Sequence, residues 1–412
     1  MANETNQKFS RNEKAWITYD AANSAFVLLT SSIIPIYFAA LAKNAGIDEI
    51  QSTTIWGYVL AASTLIVALL APVLGALADY RGMKIRIFSA FLILGLIGGV
   101  FLGLVSQWLA YAIVFILAKV GYSGANVFYD SMLTDVTSDE RMDHVSSFGY
   151  AIGYIASCIP FVIGMIIILF AENLGLTTEM ATRISFFISC AWWGLLTLPL
   201  LKNYKQQYYL ETEKGYLSES FRRLKENLSK IRQQKKIFMF MLAYFFYIDA
   251  VYTIIGMAAS YGSAVGIDSN QMLLALLLTQ IIAFPCAILF GKFAKRFNTR
   301  KLIEVCILGY IFIALFAIQL DKAWEFWFLA VVVALFQGGI QALSRSYFGK
   351  IIPKERSNEY FGLFDIFGKY ADLVGPLLMS LIITLTGIPN LGVISMVILL
   401  VLGFICMKKV PE

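Results

Sequence analysis

Twelve apolar segments of roughly 20 residues each follow one another along this chain, separated by short stretches that hold most of the charges. Each segment is long enough to cross the hydrocarbon core of a bilayer as an α-helix, which takes about 20 residues. The 412 residues are 59% apolar and only 15% charged, which leaves too few charges to cover the surface of a soluble fold. The sequence therefore predicts an all-α membrane protein that crosses the bilayer twelve times.

The predicted spans form two sets of six with a polar linker between them. Their approximate bounds are 16–42, 53–78, 87–106, 109–133, 145–170, 184–201, 237–262, 271–294, 302–320, 326–349, 358–385 and 391–407. This arrangement predicts an N-terminal six-helix bundle over 1–201, a linker over 202–236 and a C-terminal six-helix bundle over 237–412. The linker's apolar residues are spaced as in a helix that lies on the membrane surface, and they are Tyr216, Phe221, Leu224, Leu228 and Ile231.

The basic residues lie almost entirely on one side of the predicted membrane. With the N-terminus inside, the cytoplasmic segments hold 28 of the 33 Lys and Arg, whereas the opposite side holds only Lys43, Arg183 and Lys322. The positive-inside rule then predicts that both termini are cytoplasmic, in the cytoplasmic membrane of a bacterium. This distribution, with its ten linker cations beside anionic lipid, explains the net charge of +6 without a nucleic-acid partner.

The two halves resemble each other in sequence at an offset of 215 residues. Asp139-Glu140-Arg141 follows the fourth span and Lys354-Glu355-Arg356 follows the tenth. Parallel six-helix repeats are the organisation of the major facilitator superfamily. The loop after the second span is similar to that superfamily's signature, with matches at Gly75, Leu77, Asp79, Arg81, Gly82 and Lys84.

Three further motifs resemble the vacuole-effluxer-like family within that superfamily. They are Tyr19-Asp20-Ala21-Ala22-Asn23-Ser24-Ala25-Phe26, Gly338-Gly339-Ile340-Gln341-Ala342-Leu343-Ser344-Arg345-Ser346, and Phe361-Gly362 with Asp365 and Gly368-Lys369. Ala21 stands where the family has a tryptophan. The resemblance implies the twelve-helix major facilitator fold, with the first, fourth, seventh and tenth helices around a central cavity. It also implies transport, since the family includes fungal exporters of amino acids from the vacuole.

Polar side chains in the fourth span occupy one stripe of the predicted helix. Lys119, Ser123, Asn126 and Asp130 follow at steps of four, three and four residues. Ionisable groups at this depth are costly unless they face the interior of the bundle, so they mark a candidate substrate site. We expect Lys119 to bind a carboxylate; the alternative is a structural polar seam between helices.

The first helix of each half carries a carboxylate. Asp20 lies with Asn23 in the first span, and Asp249 lies with Tyr252 in the seventh. Each carboxylate would suit a substrate ammonium or a coupling proton, because burial raises the pKa of an acid. The alternatives are a helix cap or gate for Asp20 and a purely structural role for Asp249.

The tenth span presents Gln337, Gln341 and Arg345 on one face. The two glutamines would supply neutral hydrogen bonds to a substrate. Arg345 aligns with Asp130 under the repeat offset, which predicts a pair that bridges the halves on the cytoplasmic side and acts as a gate. Direct contact of Arg345 with substrate is the alternative.

Two other charge groups are candidates for gating. Asp79 and Arg81 in the loop after the second span could lock the cytoplasmic end. In the eleventh span, Asp365, Lys369 and Asp372 are spaced so that the lysine can neutralise either acid. This set forms either a structural ion pair or a charge relay that changes partners during transport.

Other chemistry is not indicated by the sequence. Phosphate-binding and dinucleotide motifs are absent, the one histidine is His144, and the five cysteines are scattered singly. We therefore predict no enzyme activity, no catalytic residue, no cofactor and no metal.

The resulting prediction is a monomeric secondary transporter whose partners are a small-molecule substrate, membrane lipid and protons. It would export a small polar solute, such as an amino acid or related metabolite, by alternating access. Two alternatives stay open. One is an exporter or flippase of an amphipathic compound, drug or lipid-linked precursor; the other is a membrane receptor that does not transport.

Overall fold

The computed structural model describes residues 8–31, 33–211, 222, 226, 231–264 and 269–411. Within these ranges the chain forms twelve long helices, as the sequence predicts. They are α1 (Arg11–Asn44, described as Arg11–Ser31 and Ile33–Asn44), α2 (Glu49–Ala78), α3 (Met83–Leu102), α4 (Trp108–Val136), α5 (Asp139–Leu169), α6 (Thr178–Asn203), α7 (Lys235–Ala264), α8 (Ser269–Phe293), α9 (Thr299–Ala317), α10 (Ala323–Ile351), α11 (Ser357–Thr386) and α12 (Ile394–Lys408). Among the described residues, nine helices are long and apolar enough to cross a membrane, and α12 is a shorter apolar helix.

Backbone chemistry explains why these segments are helices and where they begin. In lipid, every backbone N–H and C=O needs a partner within the fold, and a helix provides one internally. Side chains cap several helix starts: Asp48 accepts from the N–H of Gln51 at 2.8 Å, and Gln107 accepts from the N–H of Ala110 at 3.0 Å. A helix can include polar residues in its first turn, before its apolar run. Helix α5 therefore begins at Asp139, six residues before its predicted apolar span.

Buried side chains form two large clusters. One is made by residues between Trp16 and Tyr204, and the other by residues between Ile237 and Val410. Large apolar side chains such as Leu69 and Leu385 are exposed on the outside of the helices, where the surrounding solvent is lipid. The first cluster is thus formed mainly by α1–α6 and the second by α7–α12.

Small residues line the seams between these two sets of helices. A Cβ added at Gly75 of α2 would lie 2.5 Å from the carbonyl oxygen of Asn358 in α11. A Cβ added at Gly362 of α11 would lie 2.6 Å from the carbonyl oxygen of Ala71 in α2. Small residues let helix backbones approach closely, so α2 and α11 pack almost backbone to backbone.

The first part of the predicted linker is bound to the loop between α2 and α3. We call residues 204–211 the strap. The N–H of Leu210 donates to the carbonyl of Asp79 at 2.8 Å, and the N–H of Arg81 donates to the carbonyl of Leu210 at 3.2 Å. Of the predicted surface helix, Tyr216, Phe221, Leu224 and Leu228 lie outside the described residues, and Ile231 begins a short turn, Ile231–Gln233.

We use the term linker end for the end of the helices at which the strap, the α2–α3 loop and the starts of α5, α9 and α11 lie. Asp79 and Arg81, two of the six candidate gating residues, lie there.

Candidate functional site

Arg345 of α10 reaches from the last six helices into the first six. Its side chain is only 3% exposed, and its Nη1 and Nη2 lie 3.0 Å from carboxylate oxygens of Asp130 and Asp20. Its Nε donates to the hydroxyl of Ser146 at 3.0 Å, and its Nη2 donates to the carbonyl of Ser146 at 3.1 Å. One guanidinium therefore joins α10 to α1, α4 and α5.

Aromatic rings lie close to the same guanidinium. Its carbon lies 4.3 Å from the centre of the Tyr150 ring and 4.5 Å from that of Trp16. Trp16 and Tyr129 fix each other, because each donates from its side chain to the other's backbone carbonyl, at 3.0 and 3.1 Å. The planar guanidinium can contact aromatic rings and donate to two carboxylates at once, which a lysine ammonium would do less well.

A second contact between the halves is made by Asp79, directly after α2. Its Oδ1 accepts from the backbone and side-chain N–H groups of Asn358, both at 2.9 Å, and its Oδ2 accepts from the N–H of Glu359 at 3.2 Å. Burial raises the pKa of Asp79 to about 7, although the charge of Lys84 and the hydrogen bonds from Asn358 lower it. The carboxylate therefore caps the first turn of α11 from the opposite half.

Next to this contact lies a fully buried ion pair that joins three parts of the chain. Nζ of Lys84 in α3 lies 2.6 Å from Oδ2 of Asp135 in α4 and donates to the hydroxyl of Ser357 at 3.0 Å. Asp135 also accepts from the Tyr204 hydroxyl at 2.5 Å and from two backbone N–H groups of the strap. The pair thus links the strap to the first turn of α11.

Asp143 of α5 forms a third junction with the last six helices. It accepts hydrogen bonds from Thr299 at 2.7 Å and Ser346 at 2.6 Å, and it pairs with Lys350. Under the repeat offset of 215, Asp143 corresponds to Asn358, so the two halves use equivalent positions. Together the three junctions close the linker end between the two sets of helices.

The predicted polar stripe on α4 extends from Asp130, near the closed end, to Lys119, farther from it. Asp130 lies in the Arg345 cluster, Asn126 accepts from the Tyr19 hydroxyl at 3.5 Å, and Ser123 is buried. Lys119 is half-buried, with its Nζ 5.5 Å from the centre of the Tyr122 ring. Eleven helical residues separate Lys119 from Asp130, a rise of about 16 Å, so one small ligand cannot contact both.

The carboxylate predicted in α7 contacts its own half. Asp249 is fully buried, and its Oδ1 accepts from the backbone N–H of Gly375 in α11 at 2.7 Å. Tyr252, one turn later, is half-buried against the second core. Asn23 is buried in α1.

The remaining predicted residues separate into distinct environments. Gln341 accepts from the Tyr154 hydroxyl of α5 at 3.0 Å, whereas Gln337 lines an apolar cavity among the last six helices. Arg81 is exposed and pairs with Glu211 of the strap at 4.0 Å. Asp365 is half-buried. The side chains of Lys369 and Asp372 lie outside the described residues.

Several residues of the closed end were not selected from the sequence as candidate sites. Lys84 matched the superfamily motif, but Asp135, Ser146 and Asp143 were not assigned any role. An available signal was that Asp135 is a second carboxylate in the same apolar helix as Asp130, one turn and a half later. Such a group needs a partner.

A family model described as vacuole effluxer Atg22 like matches residues 9–412. The chain belongs to the vacuole effluxer Atg22-like family. Membership confirms the resemblance carried by the motifs around Asp20, Arg345 and Asp365.

Individual relatives place this family member among transporters. An uncharacterized MFS-type transporter of Bacillus subtilis, YxiO, is 43% identical over 411 residues, which cover 98% of this chain and 96% of YxiO. Autophagy-related protein 22-1 of Aspergillus fumigatus is 24% identical over 268 residues, 58% of this chain and 43% of that protein. The chain is therefore an integral multi-pass transporter of the major facilitator superfamily and not an enzyme.

The fold agrees with this assignment. The structure of the major facilitator transporter FucP in its outward conformation superposes with a TM-score of 0.71 at 13% identity, covering 98% of both chains. The predicted fold class, two six-helix sets in the major facilitator arrangement, is confirmed. The roles of individual site residues in this Atg22-like protein stay predictions.

Proposed function

We propose that this transporter exports a small solute that carries a carboxylate, such as an amino acid or a related metabolite. The observation that supports this is the position of Lys119. It is a half-buried cation on the stripe of α4, beside Tyr122 and about 16 Å from the arginine cluster. Ionisable side chains at this depth are commonly functional, so we propose that Lys119 binds an anionic group of the substrate.

The two acids of the arginine cluster do not suit the ammonium of an amino acid in this state. Asp20 and Asp130 are both bound to Arg345. We infer that neutral oxygens of the stripe, such as that of Asn126, receive the ammonium instead. The carboxylate is then the group on which affinity depends most.

Export is proposed because the matching family is described as vacuole effluxer Atg22 like. If both termini are cytoplasmic, in a bacterial cytoplasmic membrane, the linker end is the cytoplasmic end and the described state is closed to the cytoplasm. Residues 1–201 and 237–412 would rock against each other to break the three junctions and open that end. Substrate would enter there and leave on the opposite side.

Proton coupling is proposed from the charges of the arginine cluster. Two carboxylates and one guanidinium leave one negative charge unbalanced when all three groups are ionised. Uncompensated charge inside a low-dielectric bundle is costly. We infer that a proton bound to Asp20 or Asp130 balances the cluster in one of the two transport states.

Pairs of ligands that differ only in the carboxylate test the proposal. Purified full-length protein is screened by thermal unfolding with amino acids and with the amines that lack the carboxylate, for example leucine against isoamylamine. We expect at least one amino acid to stabilise the protein and its amine to have no effect, since a bound ligand stabilises the folded state by mass action.

Variants then assign the effect to the site. We expect Lys119→Gln to abolish the stabilisation and the uptake of that amino acid into inverted vesicles. Lys43→Gln removes an exposed lysine at the other end of the fold and should change neither. Unchanged binding in Lys119→Gln, or equal stabilisation by amine and amino acid, would refute the carboxylate site.

A further inference from the structure

A cavity lies among the last six helices, away from the α4 stripe. Its volume is about 110 Å³, several times the ~10–15 Å³ that one water needs. Its walls come from α7, α8, α9, α10, α11 and α12, with side chains such as Ile255, Ile313, Phe326, Val333 and Met396. Helices of the second half therefore surround a space that is lined mainly by apolar groups.

Two polar side chains line this cavity without a hydrogen bond. Oε1 of Gln337 and Oγ1 of Thr253 are buried, at 5% and 2% exposure of the residue, and neither atom has a partner among the described residues. A nearby wall residue shows the contrast, because Thr279 donates to the carbonyl of Ala275 at 2.9 Å. Buried polar atoms without partners are uncommon and costly, so these two call for a partner in the cavity.

The lining specifies the chemistry of that partner. The side chains that form the walls are apolar or neutral, so a charged ligand would lose its hydration without gaining a counter-ion. A hydroxyl group matches the orphaned Gln337 oxygen, because a hydroxyl can donate a hydrogen bond to it. The apolar remainder of the ligand would contact side chains such as Phe326 and Met396.

We propose that this cavity binds a neutral amphiphile with a hydroxyl head group and an apolar body, as a ligand separate from the transported solute. The inference does not depend on the proposed function. Lys119 is not part of the lining, and the cavity is formed by helices of the second half only.

Photolabelling of the full-length protein in lipid vesicles tests this site. The probe is a 1-decanol derivative with a diazirine and an alkyne, and labelled residues are located by mass spectrometry. We expect labelling on the cavity-facing residues of α7, α8 and α10. Excess 1-decanol should compete, whereas decane and decanoate should compete at least threefold less.

Variants separate the site from general partition into lipid. Gln337→Met keeps the shape but removes the carbonyl, so labelling should fall about three- to tenfold, the effect of one hydrogen bond. Ala258→Phe fills the cavity and should abolish labelling. Gln319→Met, on an exposed glutamine after α9, is the matched control and should leave it unchanged.

The outcomes are distinct. Labelling that is spread over lipid-facing residues, equal competition by decane or decanoate, or full labelling in Gln337→Met would each overturn the proposal. Because Gln337→Met is conservative, the conclusion does not rest on the folding of Ala258→Phe. Lys119→Gln should retain full labelling, so failure of the carboxylate site and failure of this site give different results.

Discussion

Replacing Arg345 with glutamine should open the linker end. The change leaves the buried Asp20 and the half-buried Asp130 without their shared cation, which now lies 3.0 Å from each. Removing one partner of a buried ion pair costs about 3–5 kcal/mol, because the remaining charge stays buried. Opening relieves that cost, so the ratio of closed to open molecules should fall roughly a hundredfold or more.

A cysteine placed in the closed seam measures this ratio. Ser147 of α5 is fully buried, and its Cβ lies 2.8 Å from the position of a Cβ added at Gly291 of α8. In a background without the native cysteines, Ser147→Cys should react with a membrane-impermeant thiol reagent only when the linker end opens. The reaction rate therefore reports the open fraction, and Arg345→Gln should raise it at least tenfold.

Neutralising the two acids provides the decisive control. Adding Asp20→Asn and Asp130→Asn to Arg345→Gln removes the unpaired charges, so the rate should return toward that of the parent. Asp321→Asn, at an exposed acid before α10, should have no effect. A rate that changes less than twofold in Arg345→Gln, or that the added substitutions raise further, would refute the electrostatic account of closure.

Three further predictions concern the same end of the molecule. Burial in the closed state raises the pKa of Asp79 from its ordinary value of 3.8 to about 7, so closure takes up a proton. Raising the pH from 5 to 8 should therefore increase the thiol reactivity of Ser147→Cys, normalised to an exposed cysteine. A pH dependence that persists in Asp79→Asn would contradict this. Asp135→Leu leaves the buried Lys84 without its carboxylate, so it should lower the thermal unfolding midpoint more than Asp135→Leu combined with Lys84→Met does. Equal midpoints would argue against a stabilising Lys84–Asp135 ion pair. Gly362→Ala should loosen the seam between α2 and α11 and raise thiol reactivity. Gly57→Ala is the control, because its Cβ would lie in open space, and it should not change the reactivity. Equal effects of the two substitutions would exclude a steric cause.

Apolar run length was enough to predict the helices, because lipid leaves a long apolar segment few other structures. The exact starts were not predictable in that way, since polar caps and charged first turns extend a helix beyond its apolar run, as at Asp139. The repeat offset predicted the contact between Arg345 and Asp130, because equivalent helices of the two halves face each other. The structure pairs the two side chains, while their role as a gate stays a prediction.

Other contacts depend on tertiary packing that a single sequence does not encode locally. Spacing on α1 could not show that Asp20 shares the guanidinium of Arg345. The pair of Lys84 with Asp135 was missed because charges near helix ends are usually solvated. Asp249 seemed equivalent to Asp20 from its place in the repeat, yet it binds the backbone of α11.

The strap also determines where this gene can be divided. Residues 204–211 are bonded to the α2–α3 loop and to Asp135 of α4, so they belong with the first six helices. Two co-expressed fragments separated after Leu201 would leave the strap on the wrong polypeptide. A cut after Glu211 would keep those bonds within one fragment, which makes it the better starting point for complementation between halves.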